Sequence, residues 1–365
     1  MAASGAPLVL LAAGGTGGHL FPAEALAAAL AKRGVAVELA TDRRAAHFEF
    51  PARAVHLIPS ATLRGRNPFA LARTSALLTL GTAKAWNLLG RIKPSVVVGF
   101  GGYPTVPPLL AAGWRGIPTV LHEQNGVMGR ANRMLAPRVT AIATGFRTLK
   151  NFNRHWQSKM TFTGNPIRQQ VLAAAKTAYI PPAAGDLQLL VFGGSQGARV
   201  MGEIVPPAIE RIGADLRARL SIVQQVRAED ADRVYAAYAR LGVESESAPF
   251  FPDLPGRMAA AQLVISRSGA STVAELSAIG RPAILVPLPH ALDQDQLANA
   301  RTLEAAGGAI CIEQTNFTPE WLASAITTLL GDPARLVQMA EAAKTAGTVD
   351  AAERLADLVL KVARN

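Results

Sequence analysis

The chain has 365 residues, half of them hydrophobic, and a formal net charge of +11. A single cysteine, Cys311, excludes an intrachain disulfide framework and a cysteine-rich metal site. No run reaches the roughly 18 apolar residues of a membrane span, and the N-terminus lacks the basic flank of a signal peptide, so neither is expected.

The length predicts about two domains. The charge is divided unequally between them. Residues 1–185 hold 21 Lys/Arg and 5 Asp/Glu, and the remainder 16 and 21, giving +16 and −5. Between Glu49 and Asp186 the only acid is Glu123. Such an acid-poor first half favours an anionic partner.

In chain order, Leu8–Ala13 predicts a buried strand. The glycine loop Gly14-Gly15-Thr16-Gly17-Gly18-His19 follows, then a helix over Phe21–Arg33. Strand, glycine loop and helix bring bare N–H groups and a helix N-terminus to one anion. Further strands are predicted at Val35–Ala40, Ala54–Ile58, Ser95–Phe100, Thr119–His122 and Val139–Thr144, with helices between them. This alternation predicts a parallel, doubly wound α/β sheet with ligands at the strands' carboxyl ends. Gly99-Phe100-Gly101-Gly102-Tyr103 and His122-Glu123-Gln124-Asn125 fall at such ends. Arg64–Lys93 mixes apolar residues with cations. It reads as an amphipathic helix on the sheet, one face of which can meet an anionic membrane.

A domain boundary is expected near Gly164, before Asn165-Pro166. The second half repeats the pattern, with strands at Leu187–Phe192, Ser221–Gln225, Ala248–Phe251, Leu263–Ser266, Ala283–Pro287 and Ala309–Ile312. Helices are predicted near Val200–Ile212, Ala228–Leu241, Leu254–Ala261, Ser271–Ile279 and Gln294–Ala306, and two more within Pro333–Ala363. Gly193-Gly194-Ser195-Gln196-Gly197-Ala198 is a second strand–glycine–helix loop. A third opens Ser266-Arg267-Ser268-Gly269-Ala270-Ser271-Thr272-Val273-Ala274-Glu275, where hydroxyls and free N–H groups suit a diphosphate and Glu275 a ribose diol. An ordinary Ser-capped helix start is the alternative.

The ordered set of these loops, together with Gly-Asn-Pro-Ile-Arg at residues 164–168, resembles the MurG family of bacterial peptidoglycan glycosyltransferases over nearly the whole chain. The resemblance implies a GT-B fold: two Rossmann-like domains with parallel sheets facing a cleft. Residues 1–164 would take the acceptor and face the membrane, residues 165–346 would take the donor, and a helix at about 347–365 would pack back on the first domain.

It further implies inverting transfer of N-acetylglucosamine from UDP-N-acetylglucosamine to the muramoyl 4-hydroxyl of lipid I, undecaprenyl-diphospho-MurNAc-pentapeptide, giving lipid II. The donor would contact Thr16, Gly17, Gly18, Asn125, Arg168, Ser195, Phe251, Ala270, Ser271, Thr272, Val273, Ala274, Glu275 and Gln296. Gly102 and Tyr103 would meet the acceptor. Inversion needs a base for the acceptor proton. His19 is the first candidate, alternatively shaping its loop or binding acceptor diphosphate. Glu123 is the second, alternatively structuring its own loop.

No cofactor or metal is expected. The expected place is the cytoplasmic face of the bacterial inner membrane, with other cell-wall synthesis proteins as further partners and no nucleic acid. Two stretches depart from the family pattern: Gln224-Gln225-Val226-Arg227, which lacks a glycine, and Gln294-Asp295-Gln296. The rivals are another GT-B UDP-sugar enzyme, such as a 2-epimerase, and a non-enzymatic polyanion- or membrane-binding module. His47, His56, His155 and His290 show no constellation.

Overall fold

The computed structural model describes residues 7–15, 17–45, 49–61, 68–182, 187–194 and 197–364, without the side chains of 45, 68–71 and 292. The chain divides into two compact units, Met1–Arg168 with Val349–Asn365, and Gln169–Thr348. The division after Arg168 falls four residues beyond the expected Gly164 boundary, so Arg168 belongs to the first unit.

The first unit is built on seven strands: β1 (Leu8–Ala12), β2 (Ala36–Thr41), β3 (Ala54–Leu57), β4 (Val96–Gly99), β5 (Thr119–Glu123), β6 (Ala141–Thr144) and β7 (Met160–Phe162). Their order is β3-β2-β1-β4-β5-β6-β7, all neighbours parallel. The order reverses between β1 and β4, the switch point at which such sheets bind ligands. β1 is buried throughout, as the run Leu-Val-Leu-Leu-Ala requires of a strand covered on both faces. β7 is unexpected; three residues at a sheet edge leave no periodicity to read.

Helices α1 (Gly17–Ala31), α2 (Pro68–Ile92), α3 (Val106–Trp114) and α4 (Arg130–Leu135) cover this sheet. α1 begins four residues before the expected Phe21. Glycine is a poor helix interior, but the first turn needs no intrahelical N–H partners, so Gly17 and Gly18 are tolerated there.

The second unit has six parallel strands, β8 (Leu187–Phe192), β9 (Leu220–Gln225), β10 (Glu244–Ala248), β11 (Leu263–Ser266), β12 (Ala283–Leu285) and β13 (Ala309–Cys311), in the order β10-β9-β8-β11-β12-β13. β10 corrects the expected Ala248–Phe251. Its Glu-Ser-Glu-Ser sequence suits an exposed edge. The aromatic pair that suggested a strand lies beyond it, with Phe250 exposed and Phe251 buried under the Arg257 guanidinium.

Among the described residues nine helices follow the break: α5 (Gln169–Ala174), α6 (Arg199–Arg211), α7 (Ala214–Arg217), α8 (Ala231–Leu241), α9 (Leu254–Ala260), α10 (Ala270–Ile279), α11 (Asp295–Ala305), α12 (Pro319–Leu330) and α13 (Pro333–Ala346). α12 is also unexpected, although Thr318 accepts from the Trp321 N–H at 3.2 Å and Pro319 occupies the first turn, both helix-start signals. Arg281 is 1% exposed, lies 5.4 Å from the centre of the Tyr179 ring and meets a set of backbone carbonyls. Its guanidinium donates to Ala259, Ile279, Gly280, Thr177 and Ala178, the carbonyl-rich ends of α9, α10 and the turn after α5. The negative ends of helix dipoles compensate a charge that has no carboxylate beside it among the described residues.

The chain returns to the first unit as α14 (Ala351–Ala363). Leu355, Ala356, Val359 and Val362 are buried beside α1 and the β1–β4 face, and Arg33 on the turn after α1 pairs with Glu353 and Asp357 at 2.7 and 2.6 Å. These ion pairs are largely solvated; apolar burial carries the docking.

Candidate active site

In the first unit three loops leave the carboxyl ends of β1, β4 and β5. Positive φ at Gly15 (86°), Gly101 (82°) and Gly102 (72°) sets their turns. A Cβ on Gly14 would stand 3.1 Å from both Pro104 and Thr41, so the bare glycine lets the first loop lie against the second. His19, half-buried on the first turn of α1, bonds back to the Gly14 carbonyl. Its ring lies beside Gly102: a Cβ there would stand 3.4 Å from His19 Cε1. Burial holds its pKa below the usual histidine range, partly offset by the Gly14 bond. His19 is therefore neutral near pH 7, the state a base requires.

Glu123, 1% exposed, ends β5. One carboxylate oxygen accepts from the Asn125 N–H at 2.9 Å and the Asn125 side chain at 3.4 Å. The other accepts from Gly129 N–H at 2.9 Å and Asn132 Nδ2 at 2.7 Å. Burial raises its pKa, opposed by these donors. Both oxygens are engaged in folding the loop that carries Asn125. Gln124 donates to the Phe100 carbonyl at 2.8 Å, tying this loop to that of β4.

Asn165 donates to the Gln124 carbonyl at 2.9 Å, and His122 is 3.1 Å from the Gly164 carbonyl. Those two contacts fix the run that ends at Arg168. The Arg168 guanidinium stacks on Phe21 at 3.8 Å and lies near Glu24, at the start of α1. Gly17 packs against the Phe21 ring, and Gly18 is exposed beside it. Tyr103 packs toward α2 and α3.

In the second unit, Gln225 connects two loops. Its Oε1 accepts from Gly193 N–H at 3.0 Å and its Nε2 donates to the Pro249 carbonyl at 3.0 Å. Arg227, standing where the family glycine is absent, packs its stem against Gly197 and pairs with Glu229 and Asp230. Phe251 stands two residues beyond Pro249.

α10 begins at Ala270 with Gly269 as a cap that lends no side chain. Its first-turn N–H groups face outward beyond the helix, as an anion site requires. Ser271 Oγ is buried without a hydrogen-bond partner among the described residues. Thr272, Val273 and Ala274 continue the turn, and Glu275 is 7% exposed. Ser268 donates to the Gln296 carbonyl at 2.8 Å, and Asn299 to the Ser268 carbonyl at 3.2 Å. The Gln296 side-chain oxygen accepts from Leu288 N–H at 3.0 Å. Arg267 spans to the Val286 and Pro287 carbonyls, both at 3.0 Å. Asp293 and Gln294 hold φ of 57° and 54°, local strain that sets the start of α11 and the place of Gln296.

Thr16 and Ser195 lie outside the described residues, as does His47. The anchors Asn165, Gln225, Arg267 and Asn132 were not among the sequence-derived site residues. Their signal was a buried polar residue beside a glycine loop, visible only once burial is known. His56, read as isolated, sits 2.8 Å from Glu38 on β2, which also pairs with Arg53 at 2.6 Å. No group of three His, Cys, Asp or Glu among the described residues is placed to hold a metal ion.

The chain matches the glycosyltransferase family 28 N-terminal domain over residues 9–144 and the C-terminal domain of that family over residues 188–355. It is similar to the UDP-N-acetylglucosamine--N-acetylmuramyl-(pentapeptide) pyrophosphoryl-undecaprenol N-acetylglucosamine transferase of Rhodopseudomonas palustris, at 62% identity over 98% of this chain and 99% of that one. The crystal structure of Acinetobacter baumannii MurG is similar with a TM-score of 0.77 and 31% identity, covering 97% of this chain and 99% of that one. A UDP-GlcNAc 2-epimerase from Neisseria meningitidis shares the fold, with a TM-score of 0.69, at 15% identity, over 97% and 100% of the two chains. On these matches, the chain belongs to glycosyltransferase family 28.

Proposed function

We propose that the protein transfers N-acetylglucosamine from UDP-N-acetylglucosamine to the muramoyl 4-hydroxyl of lipid I, with inversion. The observation that carries this reading is the full-length 62% identity to a transferase of that name. The glycine loops and bare helix start agree with it, as suitable receptors for diphosphates. Residues 165–346 would present the donor loops, with Arg168 on the stretch 165–168 that belongs to the first unit, and residues 1–164 would present the acceptor loops.

In the proposed reaction the acceptor oxygen attacks the anomeric carbon as the bond to the UDP oxygen breaks. His19 takes the acceptor proton. The α10 N–H groups, Ser271 and Arg168 stabilise charge on the leaving diphosphate. Glu275 holds the ribose, Gln296 the sugar hydroxyls, and the Phe251 backbone the uracil; Gly17, Gly18, Thr16, Ser195 and Asn125 complete the donor contacts. Gly102 and Tyr103 meet the acceptor. Glu123 acts by folding the Asn125 loop, since its oxygens are already engaged.

The protein would work from the cytoplasmic face of the inner membrane as a peripheral protein, against an anionic surface and beside other cell-wall synthesis proteins. No helix among the described residues is long and apolar enough to cross a membrane. The candidate contact is Trp86, with Arg115 stacked 4.1 Å over it, and Trp114, 65% exposed.

The test is transfer of labelled N-acetylglucosamine from its UDP donor to a soluble lipid I analogue. Formation of the disaccharide product is expected. A folded protein that hydrolyses or epimerises the donor without transfer overturns the reading.

A further inference from the structure

Each sheet has two outer strands, and three of the four are blunted. β7 and β13 are three residues long, and β10 carries alternating glutamates. β3, Ala-Val-His-Leu, has no such device, and among the described residues nothing pairs with its outer side. Val55 and Leu57 are 47% and 49% exposed. Ile58 N–H, just past β3, donates to the Thr41 carbonyl of β2, in the register that sets Ala54 opposite Glu38 and His56 opposite Ala40. Alternation back along the strand therefore commits the N–H and C=O of His56 and Ala54 to β2 and turns those of Val55 and Leu57 outward.

A cavity of about 530 Å3 lies along this strand. β3 and Ile58 form one wall; Lys84, Asn87, Leu88 and Arg91 of α2 form the other. Lys84, Asn87 and Arg91 recur at helical spacing and are exposed on one face. Trp86, two residues from Lys84, projects from the other flank at about 100° per residue. The groove is thus distinct from the Trp86–Arg115 patch. Two cations and no carboxylate line it.

We propose that this groove docks an extended acidic segment of a partner protein, which pairs with Val55 and Leu57 as an added strand and sets its carboxylates on Lys84 and Arg91. Outward backbone groups at a two-residue period match a second extended chain and give a lipid head group nothing to pair with. The cations supply the preference for acid over base. The proposal stands apart from the transferase reading, because none of these residues belongs to the loops described above.

The test is fluorescence anisotropy of the full chain with a labelled hexapeptide of alternating valine and glutamate. The comparison peptide alternates valine and lysine. Saturable binding of the acidic peptide is expected, at least tenfold tighter than the basic one. Val55→Pro removes an outward N–H and leaves the β2 ladder, so it is expected to weaken binding tenfold or more. The Lys84→Glu/Arg91→Glu double variant is expected to do the same, with its circular dichroism and sugar transfer unchanged. Undiminished binding to the double variant overturns the proposal, as does no saturable binding to the wild type. Displacement of the peptide by phosphatidylglycerol vesicles that themselves require Lys84 and Arg91 makes the groove a lipid site instead. Self-association lost in the double variant assigns it to a second copy of the chain.

Discussion

The imidazole of His19 stands against Gly102: a Cβ added to that glycine would lie 3.4 Å from Cε1 and 3.8 Å from Nδ1. Gly102 also holds φ at 72° with ψ at 167°, which costs an L side chain about 1–3 kcal/mol. Gly102→Ala is therefore expected to move the β4 loop against the ring. On the proposed mechanism turnover falls about tenfold or more while the KM for UDP-N-acetylglucosamine changes little. Steady-state kinetics check this; a variant that turns over at the wild-type rate separates Gly102 from His19.

The same ring predicts a pH profile. Burial lowers the His19 pKa, so the neutral, proton-accepting form persists to a more acid pH than for a free histidine. The acid limb of kcat/KM should lie below the ordinary value of about 6.5 and should vanish in the residual activity of His19→Ala. An unchanged acid limb in that variant assigns the proton to another group.

Gln225 joins Gly193 to Pro249 through one side-chain amide. Gln225→Leu keeps the volume and removes both bonds. Release of the two loops is expected to raise the KM for UDP-N-acetylglucosamine about tenfold, roughly 1.4 kcal/mol, with kcat changed less than threefold. Equal loss of kcat and unchanged KM would place Gln225 in the chemical step instead.

Periodicity and glycine placement make the strand–loop–helix units legible: β8 and β11 have the boundaries that their apolar runs predict. β10 is not legible in that way, because an exposed edge strand is polar and the nearby aromatic pair packs as a loop. The site loops are visible as glycine motifs. The contact between His19 and Gly102 is not, since it depends on the register of β1 beside β4, where Ala12 stands opposite Gly99. The four donors around Glu123 are similarly hidden, because Asn132 comes from a separate helix, α4.

The Trp86–Trp114 patch carries the membrane expectation. Flotation with phosphatidylglycerol vesicles should fall several-fold in Trp86→Ala/Trp114→Ala, while activity on a soluble acceptor is retained. Equal flotation of wild type and variant removes the patch from the membrane contact. High salt should weaken binding through its screening of the surrounding cations.

His122 is wholly buried, and burial lowers its pKa to about 4. The folded value lies below the unfolded one, so its stability contribution is complete above about pH 6.5 and declines as pH falls toward 4. The full shift corresponds to about 3 kcal/mol. Thermal unfolding at pH 7.5 and 5.0 should show a smaller loss of Tm in His122→Gln than in wild type. Parallel losses in the two proteins would remove His122 as a source of acid sensitivity.

Arg281 tests what holds the second unit together. Its guanidinium serves five carbonyl groups at the ends of three helical segments and has no acid beside it among the described residues. Arg281→Met removes the buried charge but strands those carbonyls, each costing on the order of 1–3 kcal/mol if water does not replace the donor. Arg281→Lys keeps charge but cannot span the fork. Both should lower Tm, Met more than Lys, if lost hydrogen bonds outweigh relief of the buried charge. The opposite order, with Met more stable than Lys, would mean that desolvation of the cation dominates at this site. Differential scanning calorimetry of the two variants distinguishes these outcomes without reference to activity.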